Sequence, residues 1–208
     1  MTEIRVTGAA TRSLPADQAT VRASARFADA SRENVVASAS ALQDRVLDRL
    51  RAVAAAGGAD AYIADPISTS SNSWSGEGGV RVVEHSAVVS VSVTLHDPQR
   101  VGELIAGLIE DGADADATWE LSAAHRAAVI SELRAEAVAD ARAAAGDYAA
   151  ALGAPGIEIT SVEDASDAGF PGPPVMRMAA AKDFAPEVTA RDIQVSVRID
   201  VRAQTASG

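Results

Sequence analysis

The chain has no cysteine. Disulfides, thiolate catalysis and Cys-ligated zinc are therefore excluded. A Cys-free chain suits either redox environment, so this absence does not fix a compartment. Aromatic residues are scarce, at 3% of the sequence against a hydrophobic fraction of 48%. The core must then be assembled from small side chains, chiefly Ala and Val, which favour close approach of helices and sheet. Basic residues are also short: 18 Lys and Arg stand against 29 Asp and Glu, for a net charge of -11. A nucleic-acid or anionic-lipid partner needs a basic surface, so both are disfavoured. Lys182 is the sole lysine, and with the abundant Ala this matches the codon bias of a GC-rich genome. No run approaches the roughly 18 apolar residues that would span a bilayer. Met1 to Val6 (MTEIRV) passes straight into strand-like alternation, without the basic start and apolar stretch of a signal peptide. A cytoplasmic location is the expectation, with the periplasm or secretion the alternative where a signal has been removed.

The 208 residues suit one large domain or two small ones, with a single domain the expectation, large enough for a core without disulfide or metal staples. Ile4, Val6 and Gly8 fall on one face of a first strand, Ile4 to Arg12, which ends at the Leu14-Pro15-Ala16-Asp17 turn. Val21, Ala23, Ala25 and Phe27 alternate along a second. Asp29 or Ser31 can cap a helix whose stripe is Val35, Ala39, Leu42, Val46, Leu50 and Val53, closed by Gly57-Gly58. Tyr62 to Ser70 reads as a strand, and Ser68 to Gly79 (STSSNSWSGEGG) as a flexible hairpin loop. Val80 to Leu95 is a long strand with a slip near Glu84 to Val88 that suggests a bulge.

Asp97-Pro98 opens a second helix with Val101, Leu104, Ile105, Leu108 and Ile109 inward. Ala113 to Leu121 returns as a short strand. Ser122 caps the longest helix, whose predicted stripe is Val129, Leu133, Ala137, Ala141, Ala144, Tyr148 and Leu152. Ile157 and Ile159 start another strand, and residues 164–187 read as a second long flexible loop. Ile193, Val195, Val197, Ile199 and Val201 alternate in the clearest strand of the chain. The order ββαββαβαββ predicts an α+β fold, a mostly antiparallel sheet with helices packed on one face.

Chemistry-bearing residues are dispersed. His85, His96 and His125 show no metal-ligand spacing, and no metal or cofactor is expected. Asp111, Asp114, Asp116 and Glu120 lack the order of a calcium loop and read as a solvated turn. Gly76 to Gly79 has no Walker lysine and leads into no helix, so it is a poor phosphate cradle. No G-x-S-x-G elbow occurs, and no catalytic residue is assigned. Trp74, Phe170, Met176 and Met178 are large apolar residues in segments read as loops; they form the candidate interaction surface, with folding back onto the core as the plainer alternative.

Ordered segments carry a family resemblance. Ile4-Arg5-Val6-Thr7-Gly8 with Pro15 to Val21, then Trp119-Glu120-Leu121-Ser122, the Ala-rich Ala135 to Gly153, and the closing Ile193 to Val201 resemble the SIMPL-domain family of bacteria. Ala16 stands between Pro15 and Asp17 where the family pattern has none, and Val82-Val83 lies near the place of a usual Gly-Tyr pair. The resemblance implies an α+β fold, ring-like homo-oligomers in some members, and links to oxidative stress or envelope processes. It implies no catalytic residues.

The expectation is a non-catalytic binding or assembly protein, a homo-oligomer, with no particular small-molecule ligand indicated. The rivals are a hydrolase with a dispersed site drawn from Asp17, His85, His96 and His125, and a small-ligand carrier with a pocket between sheet and helices.

Overall fold

Period-2 alternation and helical stripes become, among the described residues, eight strands and three helices. In chain order they are β1 (Glu3–Pro15), β2 (Gln18–Asp29), α1 (Arg32–Ala55), β3 (Ile63–Ala64), β4 (Ser68–Ser75), β5 (Arg81–Leu95), α2 (Val101–Glu110), β6 (Asp114–Glu120), α3 (Ala123–Ala151), β7 (Ile157–Asp164) and β8 (Asp192–Thr205). The structure is a computed structural model that describes residues 1–60, 62–165 and 191–206. The chain is α+β with antiparallel sheets, as the patterning predicts. The expected single strand at Tyr62 to Ser70 is instead two pieces, β3 and β4. The loop expected at 164–187 lies outside the described residues after Ala165, as do Phe170, Met176 and Met178.

The described residues gather into two compact units. In the unit centred on residues 15–121, the sheet order is β3-β5-β2-β6, with β4 also on β5. β5 is antiparallel to β2 and β3, and β2 is antiparallel to β6. Each helix thus joins two parallel strands with a third inserted between them: β2-α1-β3 encloses β5, and β5-α2-β6 encloses β2. This is the split β-α-β arrangement of ferredoxin-like folds. Both helices lie against one face, where Ala19, Val21 and Ala23 of β2 and Val89, Val91, Val93 and Leu95 of β5 meet Val35, Leu42, Val46 and Leu50 of α1 and Val101, Leu104 and Leu108 of α2. Each fully buried Leu or Val stabilises the fold by about 1.5–3 kcal/mol.

The starts of α1 and α3 follow their sequence signals, whereas Asp97 caps a short 3-10 turn, Pro98–Arg100, that precedes α2 in place of opening the helix itself. Of the two capping candidates Ser31 is the N-cap of α1, its Oγ accepting the Asn34 N–H, while Asp29 accepts the Ser31 N–H at 2.7 Å just ahead of the helix. The α2 register differs from expectation at one position: Ile109 is 56% exposed, while Gly107 is buried beneath the Arg49 side chain. That guanidinium forms two bonds with the Asp111 carboxylate, at 2.6 and 3.0 Å, and holds its pKa below the ordinary 3.8. Arg45 donates to the Asp111 carbonyl, so α1 ties down the C-terminal end of α2.

The bulge expected in β5 is absent: its registers with β2 and β4 run unbroken. The slip in the pattern has another cause. Ser86 and Ala87 are adjacent yet both buried, because Ser86 bonds Ser70 at 2.8 Å and Arg26 at 3.5 Å on the open face. The register shift sits instead on the edge, between Ala64↔Val91 and Ser68↔Val88. Pro66 lies in that interval, as suits an edge strand.

The other unit comprises β1, α3, β7 and β8, with sheet order β1-β8-β7. β7 and β8 are antiparallel with a shift between Ile159 and Ser161. The bonds Thr7–Asp200 and Thr11–Ser196 run in opposite sense along β1 and β8, which makes that pair antiparallel too. Val195, Ile199, Val201 and Ala203 of β8 are buried, with Ala137, Ala141, Ala145 and Ala149 of α3. The α3 stripe departs from expectation after Ala141. It continues in steps of four to Ala145 and Ala149, leaving Tyr148 and Leu152 about 60% exposed. A row of i, i+4 steps is inclined by roughly 26° to the helix axis, and only small side chains along it permit this close packing. Gly8 of β1 shows how close: a Cβ there would stand 2.1 Å from the Ala137 carbonyl oxygen.

Candidate interaction surface

β5 outruns its neighbour. The last β2 pair is Asp29↔His85, yet β4 continues pairing through Asn72↔Glu84, Ser73↔Val83, Trp74↔Val82 and Ser75↔Arg81. A two-stranded ribbon therefore projects past the end of β2. Its turn is built by glycine: Gly76 N–H donates to the Val80 carbonyl at 2.8 Å, and Gly78 and Gly79 hold φ of 74° and 78°. Those positive φ values favour glycine, and they explain the Gly-rich stretch without any phosphate. The segment read as a loop over 68–79 is thus mostly strand. Ser and Thr satisfy a strand backbone as well as a loop when a long neighbour such as β5 supplies the ladder.

Directly opposed residues in an antiparallel pair share a face. Trp74 and Val82 lie together on one side, Trp74 45% and Val82 37% exposed, with Val80 at the tip 66% exposed. All eight residues of β4 are exposed. The opposite side is mostly polar, with Val83 37% exposed among hydrogen-bonded groups: Ser71 Oγ is 2.7 Å from His85 Nδ1, and Arg81 donates to Ser73 Oγ. The sequence marked Trp74 but not Val80 or Val82. The signal was available, because a Trp opposite a Val across a tight turn exposes a joint apolar patch.

Each residue considered for a hydrolase has a described hydrogen-bond or ion-pair partner. His85 meets Ser71, and His96 meets Asp60 at 3.1 Å, partners the sequence reading had not marked. The Asp17 N–H donates to the Glu120 carbonyl, and the His125 N–H to Ser122 Oγ in the first turn of α3. Asp29 stands in register beside His85, but its carboxylate accepts from the Ser31 N–H just ahead of α1. Asp114, Asp116 and Glu120 lie along β6, and Asp111 is engaged by Arg49. Among the described residues no group of three His, Asp or Glu is arranged to hold a metal ion. Among them, too, no helix is long and apolar enough to cross a membrane.

A family model named SIMPL, described as a protein of unknown function (DUF541), matches residues 4–203. The chain belongs to the SIMPL family. The match takes in β1 at one end and most of β8 at the other, so a single SIMPL model spans both compact units. A comparison with curated proteins gave no match.

Proposed function

We propose that this SIMPL-family chain is a non-catalytic binding or assembly protein that self-associates, with the β4–β5 ribbon as its contact element. The observation that carries this reading is the solvent-exposed Trp74–Val82–Val80 patch at the end of a strand pair that outruns its sheet. Interface energy concentrates in aromatic anchors, and truncating one typically costs 2 kcal/mol or more of association, roughly thirtyfold in affinity. Location, whether cytoplasmic or exported, and any role in stress or envelope processes fall to the same proposal. Light scattering across a concentration series tests it. The wild type is expected to be multimeric and Trp74→Ser to dissociate at lower dilution; a strict monomer at high concentration refutes the assembly role.

A hydrolase is the second reading, favoured by the Ser71 Oγ–His85 Nδ1 hydrogen bond of 2.7 Å. That pair sits on an exposed ribbon face, where water is not excluded from the chemistry. Ester hydrolysis abolished by Ser71→Ala would establish it. The carrier reading has little room where it was expected, between sheet and helices: the pocket lined by Arg49, Val53, Leu95, Arg100, Glu103 and Leu104 holds about 60 Å³. Ligand sites ordinarily need roughly 300–1,000 Å³. The larger space of about 340 Å³, beside Arg5, Thr7, Glu163, Asp200 and Arg202, is lined mainly by polar and charged groups rather than the apolar walls a carrier needs.

A further inference from the structure

We infer that the outer edge of β4 is the self-association element, pairing antiparallel with β4 of a second copy. This rests on the self-association reading and specifies its geometry. An edge strand presents unpaired backbone N–H and C=O groups, and proteins ordinarily guard such edges with charge, proline or a covering element. Three of the four sheet edges among the described residues are guarded in this way. β6 carries Asp114, Asp116 and Glu120, and β7 carries Glu158, Glu163 and Asp164. β1 carries Glu3, Arg5 and Arg12, and its Ala9 N–H is taken by Asp140 Oδ2 at 3.0 Å. β4 is Ser68-Thr69-Ser70-Ser71-Asn72-Ser73-Trp74-Ser75, eight exposed residues with no charge and no proline.

Charge selects the occupant. Two copies of a chain carrying -11 repel one another over most of their surface. Self-pairing through β6 or β7 sets carboxylates against carboxylates. Any antiparallel register of β4 on itself opposes only Ser, Thr, Asn and Trp. Such a contact is isologous, so one two-fold axis closes it and leaves no free β4 edge for further growth. It also brings the two Trp74 side chains onto the same face of a sheet that continues from one copy into the other.

The test uses the whole chain in complementary-charge variants. Ser71→Glu/Ser73→Glu and Ser71→Lys/Ser73→Lys place like charges across the axis in either central register. Each variant alone is expected to show a lower mass than the wild type by light scattering, and an equimolar mixture to recover the wild-type mass. Hydrogen exchange on the unmodified chain provides the second measurement: protection of the β4 amides should rise with protein concentration. A wild type that stays monomeric defeats the self-association reading and this inference together. A wild type that associates with no concentration-dependent β4 protection, while both variants associate as it does, overturns the edge pairing alone.

Discussion

Replacing Gly8 by alanine adds one methyl group at the tightest point between β1 and α3. The new Cβ would stand 2.1 Å from Ala137 O, 2.7 Å from Ala141 Cβ and 2.9 Å from Ala141 N, whereas ordinary contact begins near 3.4 Å. Two of the three obstacles are helix backbone and the third is a methyl fixed directly to it, so no side chain can swing aside. The strand must retreat by about 1 Å. That loosens β1 from the alanine row, because Ile4 packs with Ala145 and Ala149. Overpacking of this kind costs about 1–3 kcal/mol, and the rigid obstacles put Gly8→Ala at the upper end. Alanine's lower backbone entropy in the unfolded chain returns at most about 0.5–1 kcal/mol. A net loss of roughly 2–3 kcal/mol lowers Tm by about 4–12 °C in a chain of this size. Gly146 is the matched control: it lies inside α3, and a Cβ there meets nothing within 4 Å. Gly146→Ala should stabilise by about 0.8–1 kcal/mol through helix propensity alone. Thermal and urea melts followed by circular dichroism read both. If Gly8→Ala melts with the wild type, the close approach of β1 to α3 is wrong.

Arg49 holds the Asp111 pKa below its ordinary value, chiefly by hydrogen bonding. A depressed carboxylate contributes stability that is present above the unfolded pKa and lost as pH falls through the folded one. Asp111→Asn should therefore lower stability at pH 7 by about 1–2 kcal/mol, allowing for the partial exposure of Arg49, with the gap to wild type closing below about pH 4; urea titrations at pH 7 and pH 3 with equal gaps would contradict this. In β8, Ile199→Asp should abolish folding of its unit, since Ile199 is 1% exposed and a buried unpaired charge costs several kcal/mol. Val197→Asp should be milder because Val197 is only half-buried, and His96→Ala milder still, since its bond to Asp60 is solvent-exposed; the reverse order in a melting series would show the β8 phase to be misassigned.

Much of the architecture was legible because burial and periodicity coincide in it. The alternation in β8 and β2 and the α1 stripe from Val35 to Leu50 sit where the pattern placed them, for each has one wet and one dry face. The pattern misled where a second surface covered the wet side. Ser86 is buried by Ser70 and Arg26, and that local cover imitates a bulge. Tyr148 and Leu152 misled by hydrophobicity: the packing row selects small size, so the large apolar residues fall outside it.

The candidate surface was half legible for a related reason. A Ser/Gly-rich segment reads as a loop when its backbone partners are sought within itself. Here the partner is β5, whose own valine-rich alternation anchors it deep in the sheet and lets it carry β4 outward past β2. Strand formation in β4 is thus borrowed from its neighbour and needs little from its own side chains. That leaves those side chains available for another purpose. A polar, uncharged strand with one tryptophan adds nothing to a core, yet it suits an edge that must stay hydrated alone and accept a like strand. The same composition that hid the strand from periodicity therefore points to what the strand can do.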